Sequence, residues 1–145
     1  MKEMLNPTDA DLLLRLQEGK VVLTPTQGAS MRPFIEGGRD KVLIRKQEEI
    51  NVGDIVMVPY GDMVILHRVY AIDGSRLVLM GDGNLKGNEV VERSAVLGTA
   101  IEIVGPNGRC RKPHKAWLWR HTLPLRKYLL KIYKKWNKLM KRDLI

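Results

Sequence analysis

The chain has 145 residues, 44% of them hydrophobic, which is enough for one ordinary globular domain with its own core. Its single cysteine, Cys110, excludes an internal disulfide, and no uninterrupted apolar run approaches the length that spans a bilayer. The formal net charge of +9 sits at one end: residues 1–112 hold 15 Lys/Arg and 15 Asp/Glu, whereas residues 113–145 hold 10 Lys/Arg and one acid, Asp143. A high pI that describes only a tail makes nucleic acid an unexpected partner. The first residues, from Met1 to Pro7, carry no apolar stretch of the secretory kind. A cytoplasmic or peripherally membrane-associated protein is therefore expected.

Residues 8–18 read as a short helix. Thr8 suits its cap, Asp9 and Asp11 suit its positive end, Leu12, Leu13, Leu14 and Leu16 give an apolar face, and Gly19 ends it. Strand-like runs follow at 21–25, 41–45, 54–58, 63–72, 76–80 and 95–104, separated by turn signals. The strongest of these is Asp73-Gly74, a hairpin signal between two β-rich runs. Short strands without helical patterns between them predict a mainly β protein, a partly closed antiparallel domain over residues 1–112 with its N-terminal helix.

From Pro113 the pattern turns helical, and residues 113–145 read as a basic amphipathic tail. Leu125, Tyr128, Leu129, Ile132, Trp136, Leu139 and Met140 share one arc, and Lys and Arg fill the other, where Leu130 is the one apolar residue. Thr122 suits a cap and Pro124 the first turn. Trp117, Trp119, Tyr128, Tyr133 and Trp136 are rings of the kind found at membrane interfaces, so an anionic membrane surface is one expected partner. The body of the protein or another subunit would cover such an arc equally well.

Three stretches stand apart from this scaffold. Gly28-Ala29-Ser30-Met31-Arg32-Pro33 is a turn that can hold a serine hydroxyl clear of the sheet. Ile65-Leu66-His67-Arg68-Val69-Tyr70 puts a histidine on a strand, and Met80-Gly81-Asp82-Gly83-Asn84 follows. Ser-Met-x-Pro, His-Arg-Val and Gly-Asp-x-Asn, in that order, resemble the signal peptidase I-like and LexA-like serine peptidases over roughly residues 24–104. The histidine points to the branch with a His base, as in endoplasmic-reticulum and archaeal signal peptidases. The resemblance implies a serine endopeptidase that cleaves signal, leader or pro-peptides after small residues, with no cofactor or metal. Its substrate would be an extended peptide or preprotein paired along a sheet edge.

On this reading Ser30 is the nucleophile, and His67 is its base, because a serine hydroxyl is unreactive without one. The backbone N–H of Ser30 would serve the oxyanion, and Met31 would pack beneath the nucleophile. In the His branch an aspartate beyond Gly-Asp-x-Asn orients the imidazole, but here that region reads Leu85-Lys86-Gly87-Asn88-Glu89-Val90. Four alternatives stay open. Glu89 substitutes, Asp82 lies close enough, Ser30 and His67 act as a dyad, or a catalytically silent peptide-binding or scaffold fold remains. Asp82 and Asn84 also read as turn residues. A regulatory protein related to the LexA-like repressors is a further alternative, although no helix-turn-helix is visible in the N-terminal part.

Overall fold

Period-two alternation builds strands, and the computed structural model, which describes residues 10–85 and 87–143, joins eight of them in one antiparallel sheet. Helix α1 (Ala10–Gln17) precedes β1 (Val22–Pro25), β2 (Lys41–Arg45), β3 (Ile55–Tyr60), β4 (Met63–Asp73), β5 (Arg76–Met80) and β6 (Glu89–Glu92). Strands β7 (Gly98–Val104) and β8 (Cys110–Arg111) follow, then helices α2 (Trp117–Arg120) and α3 (Leu123–Asp143). The hydrogen-bonded order is β1-β2-β7-β3-β4-β5-β6, with β8 on β7. No pairing joins β1 to β6 among the described residues, so the sheet is not closed.

Strand β3 divides the core. Ile55 and Met57 point to one cluster with Leu12, Leu16, Val42, Ile44 and Ile103, while Val56 and Val58 point to another with Val69, Leu77 and Leu79. In α1 only Leu12 and Leu16, four residues apart, are buried; Leu13 and Leu14 are exposed, because a helix turns 100° per residue. The expected Thr8 cap and Asp9 lie outside the described residues.

Strand β4 splits its length between two neighbours. Met63 to Arg68 pairs with β3, and Arg68 to Asp73 pairs with β5 across a bulge at Tyr70. Among the described residues the 63–67 half is thus left without a neighbour on its β5 side. Strands β6 and β8, four and two residues long, are too short for alternation to show in the sequence. The expected last strand starts later, at Gly98, because Arg93–Ala95 forms a 3-10 turn.

The expected C-terminal helix is divided at His121 and Thr122. The Thr122 hydroxyl donates back to the Trp119 carbonyl at 2.7 Å instead of capping forward. Residues 113–122 are knitted to the body: the His114 carbonyl accepts from Arg68 at 2.7 Å, and Trp119 Nε1 donates to the Asp82 carbonyl at 2.8 Å. Among the described residues no helix is long and apolar enough to cross a membrane.

Candidate active site

Ser30 follows β1 on a tight coil. Arg32 N–H donates to the Ala29 carbonyl at 3.2 Å, and Phe34 and Ile35 N–H both donate to Met31 at 3.0 Å. Met31 and Ile35 point into the core, which leaves Ser30 half-buried at the rim. Ser30 lines a cleft of about 270 Å³ whose floor is Met31, Ile35, Val42 and Met57. Two walls of that cleft are residues 24–28, continuing β1, and the 63–66 part of β4. Among the described residues the 63–66 part is a strand edge with no strand on its β5 side, whereas in 24–28 the Thr26 carbonyl already accepts from the Gly38 N–H at 2.8 Å.

His67 lies on β4 opposite Val56 and is 5% exposed. The loop after β5 brings it to the serine. Asn84 N–H bonds the Gly81 carbonyl at 3.0 Å, closing a turn, and Gly83 N–H donates to the Ser30 carbonyl at 2.8 Å. Approach this close requires glycine. A Cβ on Gly81 would collide with the Ser30 carbonyl oxygen and stand 3.1 Å from His67 Nε2, and one on Gly83 would collide with the Ala29 carbonyl. Ser30 and His67 Nε2 therefore border the same glycine. The Ser30 hydroxyl makes no hydrogen bond to His67 among the described residues, and the Ser30 N–H has no backbone acceptor there.

The structure separates the two candidate acids. Glu89, the first residue of β6, places Oε2 3.0 Å from His67 Nδ1, with its side chain 21% exposed. With the ring proton on Nδ1, Nε2 is left as an acceptor on the side of Gly81 and Ser30. Asp82 is turned away into the interior. It accepts from Arg68 Nε at 2.9 Å and Nη2 at 2.8 Å, and from the Tyr70 hydroxyl at 3.1 Å. Burial, followed by the Asp82 charge, pushes the Tyr70 phenol up to about 12. Arg68 also donates to the Gly53 and His114 carbonyls at 2.7 Å and lies 5.3 Å from the Phe34 ring centroid. Asp82 thus completes a buried ion pair that fixes the loop, and Asn84 is a turn residue.

A second ionic layer lies behind the serine coil. Arg32 grips Glu36 through two hydrogen bonds of 2.8 and 2.7 Å, and Asp40 accepts from the Glu36 N–H at 2.8 Å and from Arg39 and Arg111. The Tyr133 hydroxyl of α3 reaches Glu36 at 3.3 Å. Arg126 of α3 is fully buried. It donates to the Tyr70 hydroxyl at 2.7 Å, the Trp119 carbonyl at 3.0 Å and the Asn84 carbonyl at 3.1 Å. Sequence reading missed these contacts, counting Arg126 in the basic arc and Tyr133 among the rings expected at a membrane interface. The available sign was Leu130, the apolar residue on the basic side, which shares a face with Arg126, Tyr133 and Asn137.

No curated protein matches the chain. A family model described as peptidase S24-like matches residues 5–105, a span that contains Ser30, His67, the Gly81–Asn84 turn and Glu89. That family takes in serine peptidases and LexA-like repressors. With the match covering the sheet from β1 to β7 and all the residues gathered at the cleft, the chain belongs to the peptidase S24-like family.

Proposed function

We propose that this protein is a serine endopeptidase that binds an extended peptide in the cleft and cleaves it with Ser30, His67 and Glu89. The observation that carries the reading is the 3.0 Å contact between His67 Nδ1 and Glu89, on a ring whose Nε2 borders the Ser30 loop. The peptide lies between residues 24–28 and the 63–66 edge of β4, pairing with that edge, and the apolar floor takes small side chains. Ser30 Oγ adds to the scissile carbonyl carbon as its proton passes to His67 Nε2. Glu89 stabilises the imidazolium, and the Ser30 N–H donates to the oxyanion. His67 returns the proton to the departing amine. Water then attacks the acyl-serine, again giving its proton to His67, and the acid leaves as the Ser30 hydroxyl is restored.

A fluorophosphonate probe followed by intact-mass spectrometry tests this directly. The wild type gains one adduct on Ser30, and Ser30→Ala gains none. The missing hydrogen bond between the Ser30 hydroxyl and His67 favours a second reading, a peptide-binding protein without turnover. That reading is upheld if the wild type stays unlabelled and cleaves no peptide while still binding one.

A further inference from the structure

The face that α3 turns to the body is not its apolar one. At 100° per residue, Arg126, Leu130, Tyr133 and Asn137 form one narrow sector, and these four are buried or half-buried against the body. Lys127, Lys131, Lys134, Lys135 and Lys138 form a second sector, all exposed. Leu125, Tyr128, Leu129, Ile132, Trp136, Leu139 and Met140 form the third. They too face solvent, with Leu125, Ile132 and Trp136 at 60%, 66% and 63% exposure. Just before them Trp117 and Leu118 are exposed at 63% and 74%. Burial in the protein's own core is thus ruled out as the reason for the apolar stripe. A contiguous apolar surface of this kind on a monomer marks an interaction site.

We propose that α2 and α3 form an interfacial module that lies on an anionic lipid surface, the apolar sector entering the headgroup boundary and the lysine sector contacting lipid phosphates. Charge decides between occupants. A second copy on this face would set two lysine rows against each other, because the segment from 113 carries 10 Lys/Arg and a single acid. Nucleic acid would engage the lysines and leave the aliphatic sector in water. A bilayer with anionic lipid satisfies both sectors, and Trp117, Tyr128 and Trp136 are the ring types that settle at headgroup depth. The buried Arg126 and the Tyr133–Glu36 contact hold the helix to the body, so the lipid-facing sector keeps a fixed orientation relative to it. The inference is independent of catalysis.

Co-sedimentation of the full chain with vesicles of 3:1 phosphatidylcholine:phosphatidylglycerol, against pure phosphatidylcholine, tests it. Binding is expected only to the anionic vesicles, weakening as salt rises, with a blue shift of tryptophan fluorescence. Lys131→Gln with Lys138→Gln lowers the partition roughly 30-fold, the loss expected for two basic groups at such a surface. Ile132→Asp with Trp136→Asp abolishes it, while Ser30→Ala leaves it unchanged. All four substituted α3 residues are exposed, so circular dichroism should show an unaltered fold. Equal sedimentation with both vesicle types overturns the proposal. So does concentration-dependent dimerisation that the Ile132→Asp/Trp136→Asp variant loses while the wild type ignores vesicles, which would assign the sector to a second copy.

Discussion

Glu89 Oε2 lies 3.0 Å from His67 Nδ1 although 22 residues separate them in the chain. Strand β5 makes the meeting: Met80 pairs with Arg68 of β4, and Leu79 pairs with Glu89 of β6. Two successive antiparallel turns therefore carry an acid back to the histidine.

Exchanging oxygen for nitrogen at each acid separates their roles. Glu89→Gln should lower kcat by roughly 10²–10⁴-fold, because the amide neither fixes the tautomer nor stabilises the imidazolium, and the melting temperature should hold. Asp82→Asn should instead destabilise the fold by about 3–5 kcal/mol, since Arg68 would be left buried without its counter-charge. Peptide turnover and denaturant titration on both variants check this. The opposite pattern would make Asp82 the orienting acid.

Ser30→Ala and His67→Ala should each abolish cleavage, and the double variant should be no worse than either single one, because the two groups act as a unit. Single-turnover measurements on a peptide substrate give the comparison. Multiplying losses would mean that the residues act independently.

Gly81→Ala should cost on the order of 10²-fold or more in kcat/KM, because the added methyl group collides with the Ser30 carbonyl and crowds His67 Nε2. Probe labelling of Ser30 should slow in parallel. A variant with full activity would show that this loop does not set the distance between serine and histidine.

Arg126→Leu should loosen α3 and destabilise the protein by roughly 2–3 kcal/mol, as charged hydrogen bonds to Tyr70, Trp119 and Asn84 are lost together. Hydrogen exchange should rise across residues 117–140 and in the Gly81–Asn84 turn. Unchanged protection of that turn would place Arg126 outside its support.

Acid should unfold the ionic layer behind Ser30. Burial pushes the Glu36 carboxyl up, but its hydrogen bond and ion pair with Arg32 outweigh that and hold it below its ordinary value. Asp40 behaves likewise, burial being outweighed by Arg39 and the Glu36 N–H. Depressed folded-state pKa values give stability that is present above the unfolded values and lost as pH falls through the folded ones. Melting temperature should thus hold above about pH 5 and drop below about pH 4. Glu36→Gln should flatten that acid limb, and an identical limb in the variant would exclude Glu36 as a contributor.

By itself the sequence determined six of the eight strands, the hairpin at Asp73-Gly74, the short first helix and the charged C-terminal helix, though not its division at His121 and Thr122. These follow from local periodicity and turn chemistry, which neighbouring residues carry. The ordered stretches at Ser30, His67 and Gly81 were legible for the same reason, as was the family they resemble. What only the tertiary structure decided depends on distant chain segments meeting. Glu89 and not Asp82 faces His67, because β5 and β6 set the register and Arg68 claims the aspartate in the interior. The 3.6-residue period of α3 marked an apolar and a basic arc but not which residues the body would take. A buried arginine and a tyrosine settled that choice, turning the apolar sector outward through contacts more than 40 residues away in sequence.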